Sequence, residues 1–583
     1  MTSDKRNAAV SCVDAIVEAC DLYDAYENAK MIHYKDLPER MPEDTYTLDE
    51  FVDVSTDKVP LCMQRDEEGK LVVTAGPLSH ALIIGATGSG KTQSILLNEA
   101  ELLVRSELRP SIVFTDPKEE IFREIAPTCV ENGYKIIKLD LCDYSVSDRW
   151  NPMTYIYRLY REYRELRSTV EDTVIGGVSY KKFRGSVYKD KKKLECAIHA
   201  VETDLMTRVD MGIEELSQII CTTPDGKKDE WREGARSIFK AIIYGMLEDS
   251  DPNDRGLAQI TEDTFSFATM VNIVDSFGGR GSEYDKGYFG DRDSLDSKAR
   301  RYADKYILIS AENTRNGFVS TLASCMTKIR DMAIRQVTCS NTFEFEDFDD
   351  GKQPVAIFIV FKDETDAYDH FVGMFLTRLY ASLIEMIRKN GGKPRQRPFF
   401  FLLDEFGNLP AFPNFDKVTS LGRGRNIWFW VVLQSYAQLN EVYGGKATTI
   451  KNNLNTHIYL GTNDLETKKS FSDECGLHTI TSPIAVLNGQ DAHIGQYTKE
   501  TIPLIPVSKL SKLPVGECII TRMNEDVIWS RFERHYTCPE FGEDKKPYVH
   551  NSGFTPGDTR FEYDIESMIA KSKKKKSRYD FDF

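Results

Sequence analysis

At 583 residues the chain exceeds one ordinary domain of about 100–200 residues, so a large catalytic domain plus at least one further module is expected. Hydrophobic residues at 41% and charged residues at 28% exclude global disorder, and no window approaches the ~18 consecutive apolar residues of a membrane-spanning helix. The formal net charge of −16 excludes non-specific nucleic-acid binding by the whole surface and restricts any such partner to a local basic patch.

The first 60 residues hold fourteen Asp/Glu against six Lys/Arg, with an amphipathic helix predicted from Asn7 to Tyr34 and a loop from Pro38 to Asp44. Residues 1–58 read as an acidic appendage without a secretory signal pattern. The twelve cysteines include no Cys-x-x-Cys pair, which predicts reduced cytosolic thiols rather than a zinc site or a disulfide framework.

From Leu61 short strands with turn signals follow, at Leu61–Met63 and Leu71–Val73. A buried strand, Ala81–Ile84, runs into a glycine-rich turn and a helix starting near Lys91. Strands Ile112–Thr115 and Lys135–Leu139 each follow a helical span, the alternation of a parallel sheet covered by helices. Residues 59–154 form the first part of this domain. Between 155 and 351 strands nearly vanish and helical patterning dominates, as at Trp231–Met246 and Asn316–Ala333, which predicts an inserted all-α domain. The alternation resumes over 352–536 with Val355–Val360, a helix at Tyr368–Arg388, and strands Phe399–Leu403, Ile427–Leu433 and Ile458–Gly461. Residues 537–583 are polar and end in a lysine run, Lys571–Arg578, which reads as a flexible tail able to meet nucleic acid or anionic lipid, or merely to solubilise. The fold class is therefore α/β, a P-loop NTPase domain with a mostly parallel sheet plus an inserted all-α domain.

Gly85-Ala86-Thr87-Gly88-Ser89-Gly90-Lys91-Thr92 matches G-x-x-x-x-G-K-[ST] between a predicted strand and a predicted helix, the context that defines a phosphate-binding loop. Backbone N–H groups of Gly85, Ala86, Thr87, Gly88, Ser89 and Gly90 wrap the phosphates, Lys91 reaches the β and γ phosphates, and the Thr92 hydroxyl ligates Mg²⁺. The apolar strand Phe399–Leu403 ends in Asp404-Glu405: Asp404 is the candidate for a direct or indirect Mg²⁺ contact and Glu405 for the base that orients the attacking water. Their structural alternative is a helix N-cap pair. Gln434, at the end of the next apolar strand, is a candidate γ-phosphate or water sensor, or an ordinary strand-end polar residue. Arg423 and Arg425, ahead of that strand, are candidates for an arginine finger in trans or for surface ion pairs. Asp116-Pro117-Lys118 follows the strand after the P-loop and reads as positional or turn-forming.

Lys181, Lys182, Arg184, Lys189, Lys191, Lys192 and Lys193 set seven basic residues against one acidic within the insert, interleaved with Phe183 and Tyr188. Charge with aromatic faces suits single-stranded nucleic acid, and a solvated helix or loop face is the alternative.

The ordered set of Gly85–Thr92, Asp116-Pro117-Lys118, Trp150-Asn151-Pro152, a helical insert with Trp231, Leu403-Asp404-Glu405-Phe406, Gly422-Arg423-Gly424-Arg425, Gln434-Ser435, Gln438-Leu439, Tyr443-Gly444 and Asp464-Leu465-Glu466-Thr467 resembles the type IV coupling proteins. These are the TraG/TraD-like conjugation ATPases of type IV secretion systems, and the likeness runs from about Leu61 to Arg534. The resemblance implies a RecA-like domain with an all-α insert, assembling as a homo-hexamer that uses ATP and Mg²⁺. It also implies recruitment of a relaxase bound to single-stranded DNA and its transfer to the secretion channel. By that likeness Lys91, Thr92, Asp404, Glu405 and Gln434 take the roles argued above, Arg423 becomes the preferred trans finger, and the insert faces the substrate.

Family members commonly begin with membrane-spanning helices, which this sequence lacks. The expectation is a cytoplasmic, peripheral protein docking on a membrane-anchored partner of the secretion channel, with residues 1–58 as the docking segment. Two rivals remain: another hexameric DNA translocase, and a nucleotide-gated substrate adaptor with little hydrolysis. Glu405 argues against the adaptor, since a pure switch needs no water-activating carboxylate.

Overall fold

The computed structural model describes residues 29–552, apart from 55, 176–177, 222–228, 252–259, 280–281, 294, 363–367, 489–490 and 543–544. The strands, in chain order, begin with β1 (Met31–His33), β2 (Thr45–Thr47), β3 (Lys58–Arg65), β4 (Leu71–Pro77), β5 (Ala81–Gly85), β6 (Ser111–Asp116) and β7 (Lys135–Asp140). The insert contributes β8 (Glu171–Ile175), β9 (Val178–Phe183) and β10 (Ser186–Tyr188). The remainder are β11 (Val355–Val360), β12 (Phe399–Leu403), β13 (Ile427–Leu433), β14 (Thr456–Gly461), β15 (Leu477–Asn488), β16 (Asp491–Pro503), β17 (Glu517–Arg522) and β18 (Val527–Arg531).

Ten of them form one sheet in the order β1-β18-β17-β14-β5-β13-β12-β6-β11-β7. Around the P-loop strand the pairing is parallel, β14 to β5, β5 to β13, β13 to β12 and β12 to β6. Every residue of β5, β6, β11, β12 and β13 is buried. Such continuous apolar runs, Phe399–Leu403 among them, are what a strand covered on both faces requires. Aromatic packing fixes the centre, with Phe401 stacked on Phe429 at 4.6 Å and Phe114 on Phe358 at 4.8 Å.

The chain divides into two compact units, one from Met1–Ile137, Glu346–Ile359 and Leu383–Val549, the other from Lys138–Phe345, Val360–Ser382 and His550–Phe583, each as far as those spans are described. The divisions fall at 137/138, 345/346, 359/360, 382/383 and 549/550, so Val360–Ser382 groups with the helices of the second unit. Trp150, for example, lies edge-on to Phe371 and Phe375 within the second unit.

Three further expectations change. The helix expected to reach Tyr34 does not: Met31–His33 is a strand, paired in parallel with Val527–Trp529, so sheet pairing overrides the amphipathic pattern there. Residues 7–28 of that expected helix lie outside the described residues. Part of the acidic appendage thus belongs to the first unit, where Leu48–Val54 is a helix with Phe51 fully buried. The insert is not purely helical, since Glu171–Ile175, Val178–Phe183 and Ser186–Tyr188 pair as the antiparallel sheet β8-β9-β10. Its exposed Val174, Ile175 and Val187 alternate too weakly with polar residues for a strand signal. Finally, the expected tail begins packed: Phe541 is buried and Lys545 reaches both carboxylate oxygens of buried Glu101 at 2.9 Å. The Lys571–Arg578 run lies outside the described residues.

The second unit is built mainly on helices Thr154–Glu165, Lys191–Ile220, Glu230–Asp249, Phe267–Gly279 and Glu312–Cys325. Inside it Arg292 is buried between Glu248 at 3.0 Å and Asp249 at 2.8 Å, one cation shared by two carboxylates. The helix expected over Asn316–Ala333 is interrupted after Cys325 and restarts at Met332, where Asp331 caps the backbone N–H of Ala333.

Candidate functional site

Strand β5 ends at Gly85, and the loop that follows turns into a helix whose first turn, Lys91–Leu96, is wound wide before Leu97–Arg105 continues as α. Such wide turns concentrate at functional positions. Gly88 and Gly90 have φ of 81° and 92°, a left-handed backbone that glycine adopts without steric cost and that turns successive N–H groups inward. Ala86 N–H donates to Gly461 O at 2.6 Å, tying the loop to the end of β14.

Lys91 is buried and its Nζ donates to Gly85 O at 2.8 Å and to Glu405 Oε1 at 3.3 Å. Thr92 Oγ1 donates to Asp404 Oδ2 at 2.9 Å, and Gln434 Nε2 donates to Glu405 Oε2 at 2.9 Å. One hydrogen-bonded group therefore joins Lys91, Thr92, Asp404, Glu405 and Gln434, five of the sequence-predicted residues. They meet because β5, β12 and β13 run parallel, so all three C-terminal ends open on one edge, the place where such sheets take their ligands.

Burial, with the Glu405 charge beside it, holds the Asp404 carboxyl above the usual carboxylate range, while Lys91 and the Thr92 hydroxyl act against that shift. Glu405 has φ of 49°, an uncommon conformation for a residue with a side chain, and its own N–H donates to Asp404 Oδ1 at 2.9 Å. Asp116 ends β6, the strand next to β12. It accepts from Phe122 N–H at 2.7 Å, and burial pushes its carboxyl up to about 7. Its observed contact is positional.

The supporting residues carried no assigned role in the sequence. Gln438 Oε1 accepts from Gln434 N–H at 2.8 Å, Thr462 Oγ1 donates to Gln434 O at 2.8 Å, and Thr115 Oγ1 donates to Asp404 O at 2.8 Å. Thr467 Oγ1 accepts from Tyr436 N–H at 2.9 Å while Asp464 caps its helix, so the Asp464-Leu465-Glu466-Thr467 motif holds the Gln434 turn in place. The hydrogen-bonding residue types and their fixed offsets from Gln434 were the available signal.

Arg423 and Arg425 are not brought to this group. They precede β13 at its opposite end, roughly 20 Å away by strand rise, and Arg423 is exposed. The basic cluster belongs to the second unit. Lys181 pairs with Asp172 at 2.7 Å, Lys182 lies 3.9 Å from Glu171, and Arg184 pairs with Glu162. Phe183 is 3% exposed, so it is core and offers no stacking face. Lys189, Lys191, Lys192 and Lys193 are exposed, and none makes an ion pair with a described residue. Three of them occupy the first turn of Lys191–Ile220, the positive end of the helix dipole, where lysine is locally unfavourable.

Fold and loop together define a P-loop NTPase fold with a helical insert. The chain belongs to the family described as type IV secretory system conjugative DNA transfer, whose model matches residues 46–500. Among solved structures, the bacterial conjugative coupling protein TrwBdeltaN70, trigonal form in complex with sulphate, is 14% identical at a TM-score of 0.50, with 84% of this chain and 92% of that one covered. Plasmid coupling protein TrwB in complex with ADP and Mg²⁺ is 15% identical at 0.49, covering 82% and 87%. VirB4 of Thermoanaerobacter pseudethanolicus is 13% identical at 0.41, covering 83% and 98%. At such identity the first likeness speaks for the fold alone. No curated protein matches significantly. Among the described residues no helix is long and apolar enough to cross a membrane.

Proposed function

We propose that the chain is an ATP-hydrolysing coupling protein that recruits relaxase-bound single-stranded DNA and drives its transfer into a conjugative type IV secretion channel. The observation that carries this reading is the convergence of Lys91, Thr92, Asp404, Glu405 and Gln434 at one edge of the sheet.

The residues fit a nucleotide and Mg²⁺. Ser89 Oγ is buried within the loop without a hydrogen-bond partner among the described residues, a donor suited to a phosphate oxygen. Thr92 Oγ1 and an Asp404 carboxylate oxygen, already 2.9 Å apart, form a hard-oxygen pair able to hold the ion directly or through water. When bound there, Mg²⁺ would neutralise the charge that develops on the phosphates. Lys91 places its ammonium at the phosphates. Glu405 orients the attacking water and takes its proton, while Gln434 fixes the second Glu405 oxygen and so aims the carboxylate. Arg423, remote from this group, is assigned to a neighbouring subunit's site in a homo-hexamer. Lys189 and Lys191–Lys193 are the proposed contact to the DNA backbone. Residues 1–58 are the proposed contact to a membrane-anchored channel partner, which keeps the protein at the inner face of the membrane.

Conjugative transfer from donor cells carrying Glu405→Gln in place of the parent tests this reading. A loss of transfer with protein level unchanged is expected, and transfer at the parent frequency would contradict it.

A further inference from the structure

Two loops meet at the edge of the first unit where β5, β12 and β13 end, and one side chain joins them. The first loop leaves β12 through Asp404 and Glu405 into the short turn Phe406–Asn408. The second leaves β13 through Gln434 and Ser435 into helix Tyr436–Tyr443. Gln438 lies in the first turn of that helix. Its Oε1 accepts from Gln434 N–H at 2.8 Å, and its Nε2 donates to Asn408 Oδ1 at 3.3 Å. A backbone N–H can meet only the oxygen of an amide, so the contact to Gln434 fixes which way the amide faces.

The Glu405 turn is shaped to receive that amide. Gly407 does not have a positive φ, so its own backbone does not call for glycine. A Cβ there would instead lie 2.6 Å from Gln438 Cδ and 2.8 Å from Gln438 Cβ and Oε1. No change of rotamer moves the Gln438 Cβ, so a side chain at 407 forces helix and turn apart. The far end of the helix makes a second contact with the same loop. Phe406 stacks on Tyr443 with ring centroids 6.1 Å apart, and the Tyr443 hydroxyl accepts from Phe412 N–H at 3.0 Å. Glu405, at φ of 49°, holds a backbone that a residue with a side chain keeps only where its surroundings determine it. Its carbonyl accepts from Asn408 N–H at 3.0 Å, so the residue that Gln438 grips also closes the turn on Glu405.

On the reading that Glu405 orients the attacking water, we propose that Gln438 is a positioning residue: its amide ties the Glu405 turn to the Gln434 turn and so fixes where the Glu405 carboxylate points during hydrolysis. Gln434 Nε2 holds Glu405 Oε2 at 2.9 Å, and that bond aims the carboxylate only while the two turns keep their spacing. Gln434 makes the contact; Gln438 sets the distance across which it is made. A shift of about 1 Å in a reacting group can cost ~100-fold in rate. Nucleotide affinity, assigned to Gly85–Thr92, does not depend on the tie.

The test uses the full chain. Gln438→Met keeps the length of the side chain and its packing on Gly407 and removes both hydrogen bonds. Gly407→Ala keeps the amide and displaces it. Each should lower kcat for ATP about 10-fold or more with nucleotide Kd within about 2-fold of the parent. Combined, they should fall no further than Gly407→Ala alone, because the amide is already out of place. Losses that multiply would overturn the proposal, as would the parent kcat in Gln438→Met. A second readout needs no hydrolysis. In nucleotide-free Gln438→Met, amide hydrogen exchange should quicken about 10-fold in both 404–410 and 433–439. Faster exchange confined to 433–439 would show that the two turns are not tied and would overturn the proposal. Coupled exchange in a chain whose parent turns over no ATP would support the tie and overturn the hydrolysis reading instead.

Discussion

Lys91 and Glu405, 314 positions apart in the chain, form a buried ion pair with Nζ 3.3 Å from Oε1. The contact couples the residue proposed to meet the phosphates to the residue proposed to orient the water. A phosphate oxygen taking Lys91 leaves Glu405 held by Gln434 alone, with its first oxygen available to a water. Lys91→Ala should therefore weaken nucleotide binding about 10-fold or more and abolish turnover, measured by nucleotide titration and by phosphate release. Binding at the parent affinity would separate Lys91 from the phosphates.

Gln434 is bonded through both its side chain and its backbone, to Glu405, Gln438 and Thr462. Gln434→Ala removes only the contact that aims the carboxylate, so kcat should fall about 10- to 100-fold with nucleotide Kd within about 3-fold of the parent. A fall in affinity without loss of kcat would instead make Gln434 a binding residue.

His80, between β5 and β13, is buried and its Nδ1 accepts from Phe429 N–H at 3.0 Å. Burial lowers its pKa to about 4, the nearby Thr419 backbone opposes this, and the Arg423 charge adds to the lowering. The folded chain thus keeps His80 neutral over a range in which the unfolded chain, near 6.5, takes up a proton. Stability therefore declines as pH falls from about 6.5 to about 4, by about 3 kcal/mol from this group. Denaturant midpoints at several pH values should show that slope reduced in His80→Asn, which retains an acceptor. An unchanged slope would remove His80 from the account.

Lys545 bonds buried Glu101 alongside Arg105 and Thr128, on the Leu97–Arg105 segment of the P-loop helix. Its partners hold the Glu101 carboxyl below its ordinary range against the opposing effect of burial. Lys545→Ala should cost about 2 kcal/mol, less than a fully unpaired buried charge because Arg105 remains. Thermal unfolding measures it, and a neutral result would show that the packed segment contributes nothing to the first unit.

The site was far more legible than its scaffold. Gly85–Thr92 and Asp404-Glu405 announce themselves because phosphate and metal chemistry tolerates few residue types at those spacings. The apolar strands of the parallel core were legible for a similar reason, since a strand buried on both faces must be apolar throughout. Strands β17 and β18 were not, because Glu517–Arg522 and Val527–Arg531 carry polar residues at sheet positions whose partners are set only by tertiary pairing. Met31–His33 was lost to a helical pattern for the same reason. Phe183 shows the opposite error: an aromatic beside lysines suggested a nucleic-acid face, yet it fills the core of the insert.

Lys191, Lys192 and Lys193, at a helix start where charge is unfavourable, should matter to a polyanion and little to folding. Their combined change to Glu should weaken single-stranded DNA binding and flatten its salt dependence by about two in slope, with the melting temperature no lower than the parent's. An identical salt slope would place the DNA elsewhere.

The most direct test of the central claim is ATP hydrolysis by the purified chain with and without single-stranded DNA, over a range of protein concentrations, with Glu405→Gln as control. Hydrolysis that DNA stimulates, that rises cooperatively with protein concentration and that disappears in Glu405→Gln is the result predicted. Hydrolysis at the parent rate in Glu405→Gln, or none in the parent under any condition, would contradict it.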